Sequence, residues 1–244
     1  MDDFNIKIEY KHVPRFDSGS DESIDYLERE GYVIIKNALT ANEASKTLDL
    51  LWDYLENLGT GIDRANPMTW SDDKWPTCAH GGIIPSYGIG HSEAQWFVRG
   101  VPNVKKAFAK VWGTNDLLTS FDGVSLWRPW NIDPSWKTQS GQAWFHIDQH
   151  PISKPGKQCI QGLINLLPTS KEIGGNVVIP KSHNFFKDLP QEYKERVERL
   201  PLDIDHFRFP HDDPKLSSEP AVMAHMEPGD CLLYTSDAAD DLYR

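Results

Sequence analysis

The segment WFHIDQHP, residues 144–151, sets His146 and Asp148 two positions apart in an apolar and aromatic surround. A carboxylate drawn out of water needs a partner, and a neutral imidazole is a weak one unless a cation lies between them. If AWFHIDQ is a strand, residues i and i+2 project from one face, so His146 and Asp148 point one way while Phe145 and Ile147 point the other. An imidazole nitrogen and a carboxylate oxygen on one face are two of the three donors of a 2-His-1-carboxylate site, the donor set of non-haem Fe(II) oxygenases. The same tripeptide also serves an ordinary His–Asp hydrogen bond, so the pair by itself leaves both readings open.

The elements that must position this pair fall into two textures. In the first half, SDESIDYLEREGY predicts a short helix ended by Gly31, followed by the strand YVIIKN. The stretch from Leu39 to Gly59 predicts a longer helix: Thr40 and Glu43 have capping-box spacing, and Ala44, Leu48, Leu51, Leu55 and Leu58 recur at steps of four and three. VPNVKKAFAKVWG predicts another helix, with Val104, Phe108 and Val111 on one face. Between these two, residues 60–91 are rich in Gly, Pro, Trp and Asp and read as a long loop bordering a binding site. From Leu117 onward short strand candidates alternate with turns: LLTSFDGVSLWRP, QAWFHIDQ, QCIQGLINLLP, GNVVIP and AVMAHMEPGDCLLY, with a helical insertion at LPQEYKERVERL. Helices first and many short strands later predict an α+β chain with a β sandwich or barrel.

Composition narrows the class. A formal net charge of −11 argues against a nucleic-acid surface or an anionic membrane as the main partner. The cysteines, Cys78, Cys159 and Cys231, are odd in number and far apart, so no disulfide framework or CxxC zinc site follows. No apolar run approaches membrane-spanning length and the first residues hold no signal core, so a reducing cytoplasmic home is expected.

The order of HxD at 146–148, then GGNVVIPKSHN with Pro180, Ser182 and His183, then EPGDCLLY resembles the phytanoyl-CoA dioxygenase family. The opening GYVIIKNALTANEA and the stretch VPNVKKAFAKVWGTNDLLTSFDG are similar to it as well, so the resemblance spans residues 22–233. It implies a double-stranded β-helix (a jelly-roll, cupin-like barrel) with flanking N-terminal helices. It also implies an Fe(II)- and 2-oxoglutarate-dependent dioxygenase that hydroxylates a small organic substrate with O2, releasing succinate and CO2. On that basis His146 and Asp148 are the first two iron ligands. Related halogenases carry a small residue where Asp148 stands, so the carboxylate favours hydroxylation. His183 is then a scaffold residue rather than a ligand.

The sequence departs from that family after the Pro-Gly-Asp turn. The third ligand is expected as a histidine on the next strand, with an arginine beyond it for the distal carboxylate of 2-oxoglutarate. CLLYTSDAADDLYR contains no histidine, and its arginine, Arg244, is the last residue. The tail is similar to a translated sequencing-library adapter, so the expectation is one oxygenase domain over 1–230, incomplete at its C-terminus, and a non-native segment over 231–244. Asp240 stands near the awaited position, while His225 needs another register and Pro151 discourages a strand that would bring in His150. With the expected arginine missing, Arg128 and Gln161 are the candidates to bind 2-oxoglutarate, and Trp144 borders the pocket. Two further readings stay open: a non-catalytic binding or scaffold member of the family, and a cupin-like metal enzyme of other chemistry.

Overall fold

The structure is a computed structural model that describes residues 7–137, 145–210, 213, 214, 216 and 220–236, and the backbone of 240–243. In chain order the strands are β1 (Ile8–Lys11), β2 (Arg15–Phe16), β3 (Tyr32–Ile35), β4 (Ile83–Ile84), β5 (Val124–Ser125) and β6 (His146–Ile147). They continue with β7 (Ile160–Ile164), β8 (Gly175–Val178), β9 (Phe207–Arg208), β10 (Ala221–Ala224), β11 (Cys231–Thr235) and β12 (Asp240–Tyr243). The helices are α1 (Asp21–Glu30), α2 (Ala41–Glu56), α3 (Glu93–Gly100), α4 (Pro102–Trp112), α5 (Leu189–Glu192) and α6 (Lys194–Glu198).

The strands make a six-stranded sheet in the order β1-β10-β8-β12-β6-β9, a four-stranded sheet β2-β3-β11-β7, and the hairpin β4-β5. The fold is therefore mixed α+β with small sheets, and among the described residues no ladder closes the two larger sheets into a barrel. No described helix is long and apolar enough to cross a membrane.

Alternation decides which side chains meet. Val178, Val222 and Ala224 of the six-stranded sheet pack with β3, β11, α1 and α4 in one core. Their neighbours Val177, Ala221 and Met223 project from the opposite face and pack with Ile147, Phe186, Leu189, Val197 and Phe207 in a second. The six-stranded sheet is thus buried on both faces. Its outer cover comes from the 182–209 segment, where the predicted helix over 189–200 is realised as the short α5 and α6, with Pro190 at the start of α5. At Gly162 on β7 a Cβ would lie 2.6 Å from the Phe108 ring, so glycine is what lets α4 approach the four-stranded sheet.

Local signals in the helices take their expected form. Thr40 and Glu43 close a full capping box on α2, and Gly31 ends α1 in the left-handed conformation at φ 82°. The predicted strand over 117–129 survives only as Val124–Ser125, and the strands β1, β2, β4, β9 and β12 and helix α3 carried no such prediction. Strand β1 runs parallel to β10, a long-range pairing that no local pattern announces.

The Pro-Gly-Asp turn ties the four-stranded sheet together. Gly229 holds φ 91°, where a Cβ would meet the Leu39 carbonyl at 2.3 Å. Asp230 is fully buried; its Oδ1 accepts from Arg15 Nη2 at 2.8 Å and from the Asn37 amide at 3.2 Å, and its Oδ2 accepts from the Glu227 amide at 2.9 Å. Directly after it, Cys231–Thr235 is a buried strand paired to β3 on one side and β7 on the other.

Candidate metal centre

Strand β6 is only two residues long, yet its register is set from both sides: His146 lies opposite Asp240 of β12 and Arg208 of β9. Asp240 in turn lies opposite Val178, whose side chain belongs to the core between the sheets. Residues aligned across a sheet share a face, so His146 looks inward, toward the four-stranded sheet. Ile147 looks outward into the second core.

Asp148 follows on the same side. Its Oδ1 stands 3.3 Å from His146 Nε2, and its amide donates to the Ser236 carbonyl at 2.9 Å. From the facing sheet, Gln161 Nε2 donates to Asp148 Oδ2 at 2.6 Å. Burial works to raise the Asp148 carboxyl, but the His146 hydrogen bond and charge, the Gln161 amide and the charge of His206 outweigh it, holding Asp148 below the usual carboxylate range. The group is ionised at neutral pH, as a cation ligand must be.

Two donors bound cis to one first-row cation at about 2.1 Å each stand roughly 3 Å apart. The His146–Asp148 separation of 3.3 Å fits that spacing. Among the described residues no third His, Cys, Asp or Glu joins them in a metal-binding group. The backbone position facing His146 across the ladder is residue 240, the rung from which a third ligand would share the inner face.

Other histidines are occupied elsewhere. His225 donates from Nε2 to Glu227 Oε1 at 2.8 Å and shares a 2.6 Å bond through Nδ1 with the Tyr10 hydroxyl. His150 is fully buried and accepts at Nδ1 from the Ile152 and Ser153 amides, capping its own turn. His183 donates from Nε2 to the Glu28 carbonyl at 3.0 Å and packs under Gly31, docking the end of α1 against the Pro180–His183 turn.

The other residues singled out by sequence separate. Gln161 reaches the site, where one N–H of its amide nitrogen is given to Asp148 Oδ2 and the second N–H and the carbonyl oxygen remain. Arg128 donates to the Trp70 carbonyl and to Asp72 Oδ1, both at 2.6 Å, and lies over the rings of Trp75 and Trp136. That pins it into the aromatic cluster of the 60–91 loop, where Trp52, Trp70 and Trp75 pack together. Trp144 and Arg244 lie outside the described residues.

Three groups near the pair carried no sequence signal. Arg208 stands opposite His146 with an exposed side chain. His80, in the long loop, is held below the usual imidazole range by burial and by the charges of His146 and Arg208. His206 adds its charge beside Asp148. Nothing in their local sequence distinguishes them from solvated loop residues, since only tertiary pairing brings them to the site.

Residues 27–239 match the family described as phytanoyl-CoA dioxygenase (PhyH). The chain is 31% identical over 236 residues to Ava biosynthesis cluster protein O of Aspergillus versicolor, covering 94% of this chain and 74% of that protein. Among solved structures, hypothetical protein JW0805 from Escherichia coli is similar with a TM-score of 0.65 at 14% identity, over 96% of this chain and 68% of that one. The epimerase SnoN, crystallised in complex with Fe3+, alpha ketoglutarate and nogalamycin RO, is similar with a TM-score of 0.52 at 13% identity, over 90% of this chain and 75% of that one. At such identities the two structures speak for the fold alone.

Proposed function

Because the chain belongs to the phytanoyl-CoA dioxygenase family, we propose that it is an Fe(II)- and 2-oxoglutarate-dependent oxygenase that hydroxylates a small organic molecule with O2. The observation that carries this reading is the convergence of His146 Nε2 and Asp148 Oδ1, 3.3 Å apart, on the inner face of the six-stranded sheet. Iron bound there would supply the oxidising power, with 2-oxoglutarate as its co-reductant. The chain's own groups bind and orient: His146 offers a nitrogen lone pair, Asp148 a charged oxygen, and the second core beneath Ile147 holds their strand in place. The two larger sheets are read as the halves of a double-stranded β-helix, with the site between them. Asp148, in place of a small residue, favours hydroxylation over halogenation.

Position 240 is read as the rung of the third ligand. Strand β11 is buried and paired on both sides and the family match runs to residue 239, so we read the oxygenase domain as continuing through β11 rather than ending at residue 230. The free thiols Cys78, Cys159 and Cys231 fit a reducing, cytoplasmic setting. A second reading, a non-catalytic binding protein, is favoured by the incomplete ligand set among the described residues.

Succinate formation from 2-oxoglutarate with Fe(II) separates the two. Asp240→His is expected to raise it above the level of the unaltered chain, and adding His146→Ala is expected to return it to background. Turnover that persists unchanged after His146→Ala defeats the site assignment. No gain in Asp240→His supports the binding protein.

A further inference from the structure

We infer that Gln161 is a positioning residue that holds Asp148 to a single ligand oxygen. The inference rests on the reading of His146 and Asp148 as metal ligands, and it assigns Gln161 to the metal's ligand rather than to the cosubstrate. An ionised carboxylate has two oxygens, and both are accounted for here. Oδ2 accepts the Gln161 amide at 2.6 Å, and Oδ1 faces His146 Nε2 at 3.3 Å. The backbone that carries the carboxylate is held in turn, because the Asp148 amide is tied to the Ser236 carbonyl at 2.9 Å.

The contact also has a direction. An ionised carboxylate only accepts, so the glutamine must turn its nitrogen toward it. The other end of the amide, Oε1, is buried without a hydrogen-bond partner. Buried polar atoms are nearly always paired, so a glutamine kept only for packing would be expected to satisfy both ends. Here one end is satisfied by Asp148 and the other by nothing among the described residues.

The chemical consequence concerns coordination number. Three protein donors, a cosubstrate chelating through two oxygens and O2 fill an octahedron. A carboxylate gripping the cation through both oxygens would take a position that the cosubstrate or O2 needs. With Oδ2 engaged by Gln161, Asp148 offers Oδ1 alone and those positions stay open. Gln161 reaches across from β7, where it stands opposite Tyr234 of β11, so the restraint is anchored in the most regular ladder of the molecule.

The test uses the whole chain and Co(II), a coloured stand-in for Fe(II), read by affinity and by its d–d absorption. Gln161→Met keeps the length and removes the donor. It is expected to weaken Co(II) binding about 10-fold or more and to change the d–d band, with the metal-free chain still folded by circular dichroism. Gln161→Asn, which keeps the amide but not the reach, is expected to do the same and serves if the methionine variant does not fold. Wild-type affinity and spectrum in both variants, alongside loss of binding in His146→Ala, overturns the role of Gln161 and leaves the site standing. Wild-type binding in His146→Ala overturns both.

Discussion

The ladder β3-β11-β7 and the two-residue strand β6 lie on opposite sides of the same core and are built by opposite rules. Strand β11 pairs over its full length with β7 and over four residues with β3, and Ile34 and Leu232 within it are 0% and 2% exposed. Side chains there are apolar and the backbone groups are satisfied by the ladder. Strand β6 contributes two residues, with one rung to β12 and two to β9. Around it gather buried polar atoms without a hydrogen-bond partner among the described residues: Gln149 Oε1 and His150 Nε2 in the same segment, Gln161 Oε1 and Ser236 Oγ on residues that touch Asp148. Polar atoms gathered this way add less to stability than apolar packing does. The difference teaches that the apolar block supplies the stability and the site consumes it, the usual division where rigid elements present reactive groups.

That division can be broken first at its strongest point. His146→Ala, made in the Asp240→His background, is expected to lower Fe(II)-dependent succinate formation by roughly 100-fold or more, because a ligand of the metal is removed, while the urea midpoint moves little. Ile34→Ala makes the reverse case: a loss of about 2–5 kcal/mol in urea unfolding from the cavity it leaves, with the Co(II) spectrum of the surviving folded protein unchanged. A variant at Ile34 that altered the spectrum without loss of stability would merge the two regions into one.

A smaller effect lies outside both. Thr40→Ala removes the capping box of α2 and is expected to cost about 1 kcal/mol by thermal or urea unfolding, with no change in metal binding. The smallest is the pH dependence of the metal-free site. Asp148 is held below the ordinary carboxylate value, so its ion stabilises the folded state above that value and the contribution is lost as pH falls through the folded one. The side chain is 33% exposed, which keeps the effect modest. Wild type should therefore exceed Asp148→Asn in thermal midpoint near neutral pH, by a margin that shrinks below about 4 as the carboxylate is protonated. A margin that grew below about pH 4 would reverse the sign.

Much of the first half was legible because its signals are local. Thr40 caps α2 from within a few residues, Gly31 ends α1, and Leu51 and Leu55 mark the buried face of α2. The shared face of His146 and Asp148 was legible for the same reason, since strand alternation is a property of neighbours. Strand β1 was not, because it exists only by pairing with β10 more than two hundred residues away. Gln161 stood out as a polar candidate for 2-oxoglutarate, but its bond to Asp148 reaches across from the facing sheet and was not visible. Arg128 was expected on a strand before the ligands; that strand ends at Ser125, and the guanidinium donates to the Trp70 carbonyl and to Asp72.

By itself the amino-acid order determined the α+β class, the caps, the acidic charge balance and the pair of donors two positions apart, all consequences of short-range geometry and composition. Tertiary structure alone decided which face of β6 is inward, that Gln161 takes one oxygen of Asp148, that Arg208 stands beside His146, and that residue 240 occupies the opposing rung. Those contacts join residues far apart in the chain, and their free energy depends on sheet register and burial, quantities that exist only once the sheets have met.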